Sequence, residues 1–170
     1  MPYLKTSICR IVSIAAVIRT EKGNGNVALS LTSLPHKVDD PKQTAEVEII
    51  SSFLNAVGDK KPQLVGFNSA NADLKILVQR ATANSVQATK FAKRPNKPWE
   101  DYDYFDTRNS EGHIELIQIL GGFGKSSPSL NEMAAVFGIP GKLGISGQEV
   151  PHFGCKGTYW KLLLTMNVTR

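Results

Sequence analysis

The chain has 170 residues, 41% of them apolar and 21% charged, and its 20 basic and 15 acidic residues give a formal net charge of +5. This balance is typical of one globular domain and excludes a disordered chain. The apolar runs are far shorter than the roughly 20 residues of a membrane span, so we expect no membrane segment. The N-terminus lacks a secretory pattern, and two cysteines are too few for a disulfide framework, so we expect free thiols and a cytoplasmic location.

The first third of the chain predicts a β-hairpin and a helix. Residues 7–19 are apolar and β-branched at almost every position, as in a strand buried on both faces. Residues 21–26 have turn chemistry, and residues 27–32 follow as a second strand that pairs antiparallel to the first. Apolar residues then recur at spacings of three and four, which predicts a helix over 43–57.

The middle of the chain alternates strand and helix. Residues 63–68 predict a short strand and residues 74–81 have helical spacing, so the pattern indicates an α/β fold with a parallel pair of strands. Residues 85–112 predict irregular structure, and residues 113–121 predict a short apolar helix. A capping box at residues 129–132 predicts the start of a further helix.

The junction between the strand 63–68 and the helix 74–81 is the strongest candidate site. Asn68 ends the strand and Asp73 lies in the first turn of the helix. Ligands of open α/β sheets bind at the carboxyl ends of strands, where an Asp can reach a metal ion and an Asn can hold a turn or a substrate. A helix N-terminus also favours an Asp that has no other role, and spacing alone favours this capping interpretation.

Two other segments have weaker signals. His113 and Glu115 could act as an acid and a base, although a polar face at the start of a helix is the more ordinary interpretation. The glycine-rich segment 139–147 lacks the spacing of a phosphate-binding P-loop, which favours a structural loop in which Lys142 could touch a phosphate.

Two charged segments lie side by side. The acidic segment 100–106 is interleaved with aromatic residues, and a solvated surface anchored by those aromatics is favoured over a metal site. The basic segment 90–99 combines cations for phosphates with aromatics for stacking, which also describes an ordinary surface loop. A non-catalytic contact with a single nucleic-acid strand would use Lys90, Lys93, Arg94, Trp99 and Lys142.

Six segments, in this order, resemble one family of proteins. It is the predicted 3′–5′ exonuclease family related to the exonuclease domain of family B DNA polymerases, within the ribonuclease-H-like superfamily of DEDD exonucleases. The resemblance covers about residues 10–150 and leaves 151–170 as a divergent tail of a single domain over 1–170. The segments that carry it are 10–15, 62–68, 73–81, 113–116, 129–134 and 138–150.

The resemblance implies hydrolysis of phosphodiester bonds at nucleic-acid 3′ ends, chiefly of single-stranded DNA, with two Mg²⁺ or Mn²⁺ ions held by carboxylates. It implies that Asp73 is a catalytic residue and a metal ligand. His113 and Glu115 are weaker candidates, since Glu115 stands where the family usually has Asp. The implied substrate-binding residues are Phe67, Asn68 and Lys142.

Two of the three carboxylate motifs of that family have no counterpart. The Asp-x-Glu of the family's first, central strand is missing, because residues 7–19 resemble its second strand and Glu21 is the only acid before residue 39. The Tyr-x-x-x-Asp of the last helix, expected to begin near 157–164, is missing because no acid follows Glu149.

The missing motifs predict an incomplete ribonuclease-H-like exonuclease fold that lacks the first central strand and the last catalytic helix. We expect three principal strands, with the strand 7–19 paired directly to the strand 63–68 or separated from it by a gap. A shortened or frame-disrupted product of this kind would be weak or inactive as an exonuclease. The alternatives are a non-catalytic binding remnant and a fragment without a function.

Overall fold

A mixed five-stranded sheet organises the chain. The computed structural model describes residues 6–97, 99–122, 124 and 127–141, together with the backbone of residues 159–168. The strands are β1 Arg10–Glu21, β2 Val27–Leu34, β3 Gln63–Gly66, β4 His113–Glu115 and β5 Tyr159–Val168. They lie in the order β2-β1-β5-β3-β4 across the sheet.

Helices pack against this sheet. Within the described part of the chain, none of them is long and apolar enough to cross a membrane. The helices are α1 Glu46–Lys60, α2 Asp73–Ala83, α3 Thr89–Ala92, α4 Leu116–Leu120 and α5 Leu130–Val136, with a 3₁₀ turn at Thr6–Ile8.

The predicted hairpin is confirmed. β1 and β2 pair antiparallel from Ile14 opposite Leu34 to Glu21 opposite Val27. The strand is buried on both faces only at residues 14–16, because β2 is an edge strand that leaves much of the hairpin open to water.

The core lies between the sheet and the first two helices. The predicted helix over 43–57 begins later, at Glu46, and the predicted helix over 74–81 is α2. Both helices bury one apolar face, as their spacing predicts. The largest apolar side chains that are almost fully buried are Ile11, Ile14, Ile49, Ile50, Leu54, Leu64, Ile76 and Leu77.

The segment 113–121 corrects a prediction, since it is a strand followed by a helix. His113–Glu115 form β4, which pairs parallel to β3 and so supplies the predicted parallel pair, and α4 follows at Leu116–Leu120. The helical spacing of the apolar residues was misleading here, because backbone pairing with a neighbouring strand outweighs a short periodic pattern.

The centre of the sheet corrects a second prediction. Where a direct pairing or a gap was expected, β5 lies between β1 and β3, parallel to β1 and antiparallel to β3. The described chain therefore has five strands rather than three, and residues 159–168 are a strand where the resemblance placed the start of a helix. Two flanking strands with unpaired backbone groups need a partner, and this mostly apolar segment supplies it.

The pairing of β5 with β3 can be tested by a disulfide. In a Cys9→Ala, Cys155→Ser background, Val65→Cys with Thr165→Cys should form an intramolecular disulfide, because Val65 and Thr165 are register partners and such pairs satisfy disulfide geometry. The control, Val65→Cys with Val168→Cys, is three residues out of register, which is roughly 10 Å. Non-reducing electrophoresis reads the result, and equal yields from the two pairs would contradict this strand order.

Candidate functional site

The candidate site lies at one edge of the sheet, where β3 and β4 end. Gly66 and Glu115 are register partners at the carboxyl ends of these two parallel strands. The turn from β3 into α2 therefore begins beside the end of β4, which brings the predicted residues of both segments to the same edge.

The turn presents the predicted residues at its two ends. Asn68 is exposed and has a left-handed backbone (φ 60°), a conformation that Asn tolerates better than most residues. Its side-chain oxygen accepts a hydrogen bond from Asn71 Nδ2 at 3.1 Å, and its carbonyl accepts one from the Ala72 N–H at 3.1 Å. Phe67 is half-buried, and Asp73 is a half-buried residue at the start of α2.

Glu115 is directed into the protein and holds this turn. Its side chain is almost fully buried, and its two carboxylate oxygens accept hydrogen bonds from backbone N–H groups of the turn. Oε1 accepts from the Asn68 N–H at 2.6 Å, and Oε2 accepts from the Ala70 N–H at 2.8 Å. The position of Glu115 on a strand, rather than at the start of a helix as predicted, makes these contacts possible.

His113 and Ser69 extend this cluster beneath the turn. Burial of the His113 ring lowers its pKa, against the opposing charge of Glu115, so the ring is neutral at pH 7. Nδ1 lies 3.2 Å from the Tyr104 carbonyl, which only accepts, so Nδ1 carries the proton. Nε2 therefore has no proton and accepts a hydrogen bond from the Ser69 hydroxyl at 2.8 Å. The hydroxyl has one proton to donate, so it does not also donate to Glu115 Oε2, which lies 3.2 Å from Ser69 Oγ.

Ser69 has no exposed surface and was not a candidate from the sequence. No motif singles it out, because its role depends on residues more than 40 positions away in the chain. Gly66 makes room for it: a Cβ at residue 66 would overlap with Oγ and Cβ of Ser69.

A second polar cluster, centred on Glu46, joins β1, α1 and α2. The buried Glu46 carboxylate accepts from the Ile11 N–H at 2.8 Å and from Arg80 Nε at 2.8 Å, and Arg80 Nη2 donates to its other oxygen. Arg10 lies 3.6 Å away. Burial acts to raise the pKa of Glu46, but these hydrogen bonds and positive charges outweigh it and hold the pKa below its usual value.

The comparison with known families shows the family of this chain. Residues 1–161 match the family described as predicted 3′–5′ exonucleases related to the exonuclease domain of PolB. The chain belongs to this family. The match extends beyond the segment 10–150 that carries the resemblance and ends within β5. No curated protein and no solved structure matches the chain significantly.

Membership of this exonuclease family indicates a nuclease and therefore a nucleic-acid substrate. Exonucleases of this kind usually use divalent metal ions, which require several convergent oxygen ligands. In the described part of the chain, no three His, Cys, Asp or Glu side chains are placed so that they could hold a metal ion. Glu115 is directed onto backbone N–H groups of the turn and is part of no such group of ligands among the described residues. The described residues therefore do not fit a two-metal site.

Most of the cations in the basic segment 90–99 are paired with carboxylates. Lys90 contacts Asp59 at 2.6 Å, Arg94 contacts the buried Asp103 at 2.8 Å, and Lys97 lies 3.6 Å from Glu100. Trp99 is 74% exposed, with Lys97 Nζ at 5.8 Å from its ring centre. Two cations of the predicted binding set remain: Lys93 is exposed, and Lys142 lies outside the described residues.

The acidic segment 100–106 is more buried than predicted. Tyr104 is buried, as an aromatic anchor should be, and its hydroxyl donates to the Pro62 carbonyl at 3.0 Å. Asp103 is also buried, which corrects the expectation of a solvated segment, and its pairing with Arg94 compensates for the loss of water. Asp101 pairs with Lys61 at the surface.

A separate groove of about 1030 Å³ lies between α1 and the hairpin. Apolar residues such as Ile18, Leu34 and Phe53 line it, and Lys37 and Lys60 lie among its polar residues. None of the candidate site residues lines this groove, so we do not assign the site to it.

Proposed function

We propose that this chain is a metal-dependent 3′–5′ exonuclease domain by descent, which binds nucleic-acid 3′ ends but is weak or inactive in cleavage as it stands. The observation that carries the proposal is the lack of a metal-binding group of side chains among the described residues. Metal ions supply both the nucleophile and the charge stabilisation in two-metal hydrolysis, so the loss of their ligands costs orders of magnitude in rate.

The 3′ end would bind at the edge where β3 and β4 end. Asn68 is exposed there, and we propose that Asn68 and Phe67 contact the terminal nucleotide, with Lys142 on a phosphate. Asp73 remains our candidate for the catalytic carboxylate and metal ligand, because it follows the turn at the start of α2. One carboxylate is not enough to position two divalent ions.

The central strand supports the same proposal. β5 lies where we expect a ribonuclease-H-like exonuclease to have its Asp-x-Glu strand, and its sequence from Tyr159 to Val168 contains neither Asp nor Glu. We propose a ribonuclease-H-like architecture in which this chain supplies a central strand without carboxylates.

An exonuclease assay tests the proposal. The purified chain is incubated with 5′-labelled single-stranded DNA and Mg²⁺ or Mn²⁺, and we expect no more shortening from the 3′ end than Asp73→Ala produces. Binding is followed in parallel by fluorescence anisotropy in EDTA, where we expect an affinity that falls as salt rises. Rapid 3′-to-5′ degradation by the wild type that Asp73→Ala abolishes would contradict the proposed inactivity.

A non-catalytic single-strand binder is the second candidate function. The exposed Trp99 ring, with Lys97 close to its face, favours it because base stacking on aromatics is largely independent of sequence. The exposed pairs of Lys90 and Lys97 are weak enough for phosphates to displace their carboxylates. Loss of binding in Trp99→Ala, with binding retained in Asn68→Ala, would favour this candidate. We retain the cytoplasmic location as a proposal.

A further inference from the structure

The turn between β3 and α2 is held by a carboxylate that comes from another strand. The backbone N–H groups of Asn68 and Ala70 both point to Glu115, one to each carboxylate oxygen, at 2.6 and 2.8 Å. Backbone N–H groups of one turn that converge in this way bind an anion, and here the anion belongs to the protein.

We propose that Glu115 is a positioning residue, whose carboxylate sets the backbone of residues 68–70 and thereby the direction of Asn68 and the start of α2. This inference rests on the proposed function, because it concerns how Asn68 is presented to a nucleic-acid end. Glu115 acts through the turn and touches no substrate, since its side chain is almost fully buried.

The chemistry of the two contacts explains why a carboxylate is needed. Both backbone groups are donors, so both atoms opposite them must be acceptors, which a carboxylate provides and a carboxamide does not. In Glu115→Gln the amide nitrogen would face one of these N–H groups and leave it unsatisfied in a partly buried place. Where that group is the Asn68 N–H, the left-handed backbone at Asn68 loses the contact that holds it.

Below the carboxylate, Ser69 and His113 restrict how it can rearrange. The Ser69 hydroxyl donates to His113 Nε2, and His113 Nδ1–H donates to the Tyr104 carbonyl. A buried and mutually satisfied network of this kind favours one arrangement over others. It leaves Glu115 with the two backbone N–H groups as its main partners.

The test compares two substitutions that remove the same charge. Glu115→Gln removes the buried carboxylate, and the control Glu111→Gln removes an exposed one that lies two residues before β4. Loss of a negative charge by itself strengthens binding to DNA or leaves it unchanged. We expect Glu111→Gln to behave in this way, whereas Glu115→Gln should weaken binding of a single-stranded DNA oligonucleotide in EDTA by about tenfold.

Amide NMR spectra of the full chain provide a readout that does not depend on nucleic acid. The Asn68 and Ala70 amide protons should be shifted downfield by their short bonds to a carboxylate. The single side-chain oxygen of Glu115→Gln can accept from only one of these N–H groups in this arrangement, so at least one of the two shifts should disappear while distant signals stay in place. Ser69→Ala keeps both bonds, so we expect it to keep both shifts and to bind DNA within about twofold of the wild type.

Each outcome decides the inference. Retention of both amide shifts in Glu115→Gln overturns it, and so does the loss of either shift without any loss of DNA affinity. If the wild type binds no DNA, the proposed function fails, and the amide shifts alone then judge whether Glu115 positions the turn. If Glu115→Gln does not fold, Glu115→Asp takes its place, because the shorter carboxylate cannot reach both N–H groups; two unchanged shifts there overturn the inference.

Discussion

Glu46→Gln is expected to lower the free energy of unfolding by about 3 kcal/mol, a large part of the stability of an ordinary domain. The substitution leaves the Arg80 guanidinium without its charged partner and weakens the bond to the Ile11 N–H. This loss of stability is at the low end of the range for breaking a buried ion pair, because 20% of the Arg80 side chain is exposed to water. Urea denaturation followed by circular dichroism measures the difference.

Glu48→Gln on the same helix is the matched control, since Glu48 is exposed and its carboxylate accepts from the Ser52 hydroxyl at 3.2 Å. Its effect should stay within about 0.5 kcal/mol. The pKa of Glu46 lies below its usual value in the folded chain, so its contribution is present at neutral pH and is lost as pH falls through that lowered pKa. The difference between wild type and Glu46→Gln should therefore shrink in acid. Equal effects of the two substitutions would contradict this role for Glu46.

Gly66→Ala is expected to destabilise the chain by about 3 kcal/mol through steric overlap. A methyl group at residue 66 would occupy the space of the Ser69 side chain, and Ser69 is fully buried. Because the overlap includes Cβ of Ser69 as well as Oγ, the second substitution Ser69→Ala should not restore stability, whereas Ser69→Gly should restore part of it.

Thermal and urea unfolding of these variants provide the measurement. Gly124→Ala is the control, because the nearest atom that a Cβ there would meet among the described residues is the Gly121 carbonyl oxygen, at an ordinary 3.5 Å. A Gly66→Ala chain as stable as the control, or one that Ser69→Ala fully rescues, would show that the turn packs differently against β3.

Several elements follow from local chemistry and were predicted. The hairpin forms because turn residues separate two β-branched runs, and three residues of its turn, Gly23, Asn24 and Gly25, have positive φ. The capping box forms as predicted, with the Ser129 hydroxyl accepting from the Glu132 N–H and the Glu132 carboxylate accepting from the Ser129 N–H. These interactions join residues within a few positions of each other, so a sequence pattern contains them.

Other elements depend on contacts across the chain and were missed or assigned wrongly. The helical spacing of 113–121 did not reveal that residues 113–115 would pair with β3. The tail 159–168 had no partner that a local pattern could identify, yet it pairs with two strands. Glu46 and Arg80 are 34 residues apart, so nothing local indicates that they meet.

The sequence by itself determined the α/β class, the hairpin, the first two helices, the family and the scarcity of carboxylates, because composition, periodicity and motifs are properties of the chain before it folds. Only the tertiary structure decided that β5 takes the centre of the sheet and that Glu115 is turned inward onto the β3–α2 turn. Both depend on buried backbone groups finding hydrogen-bond partners, and the partners available are known only once the strands have been brought together.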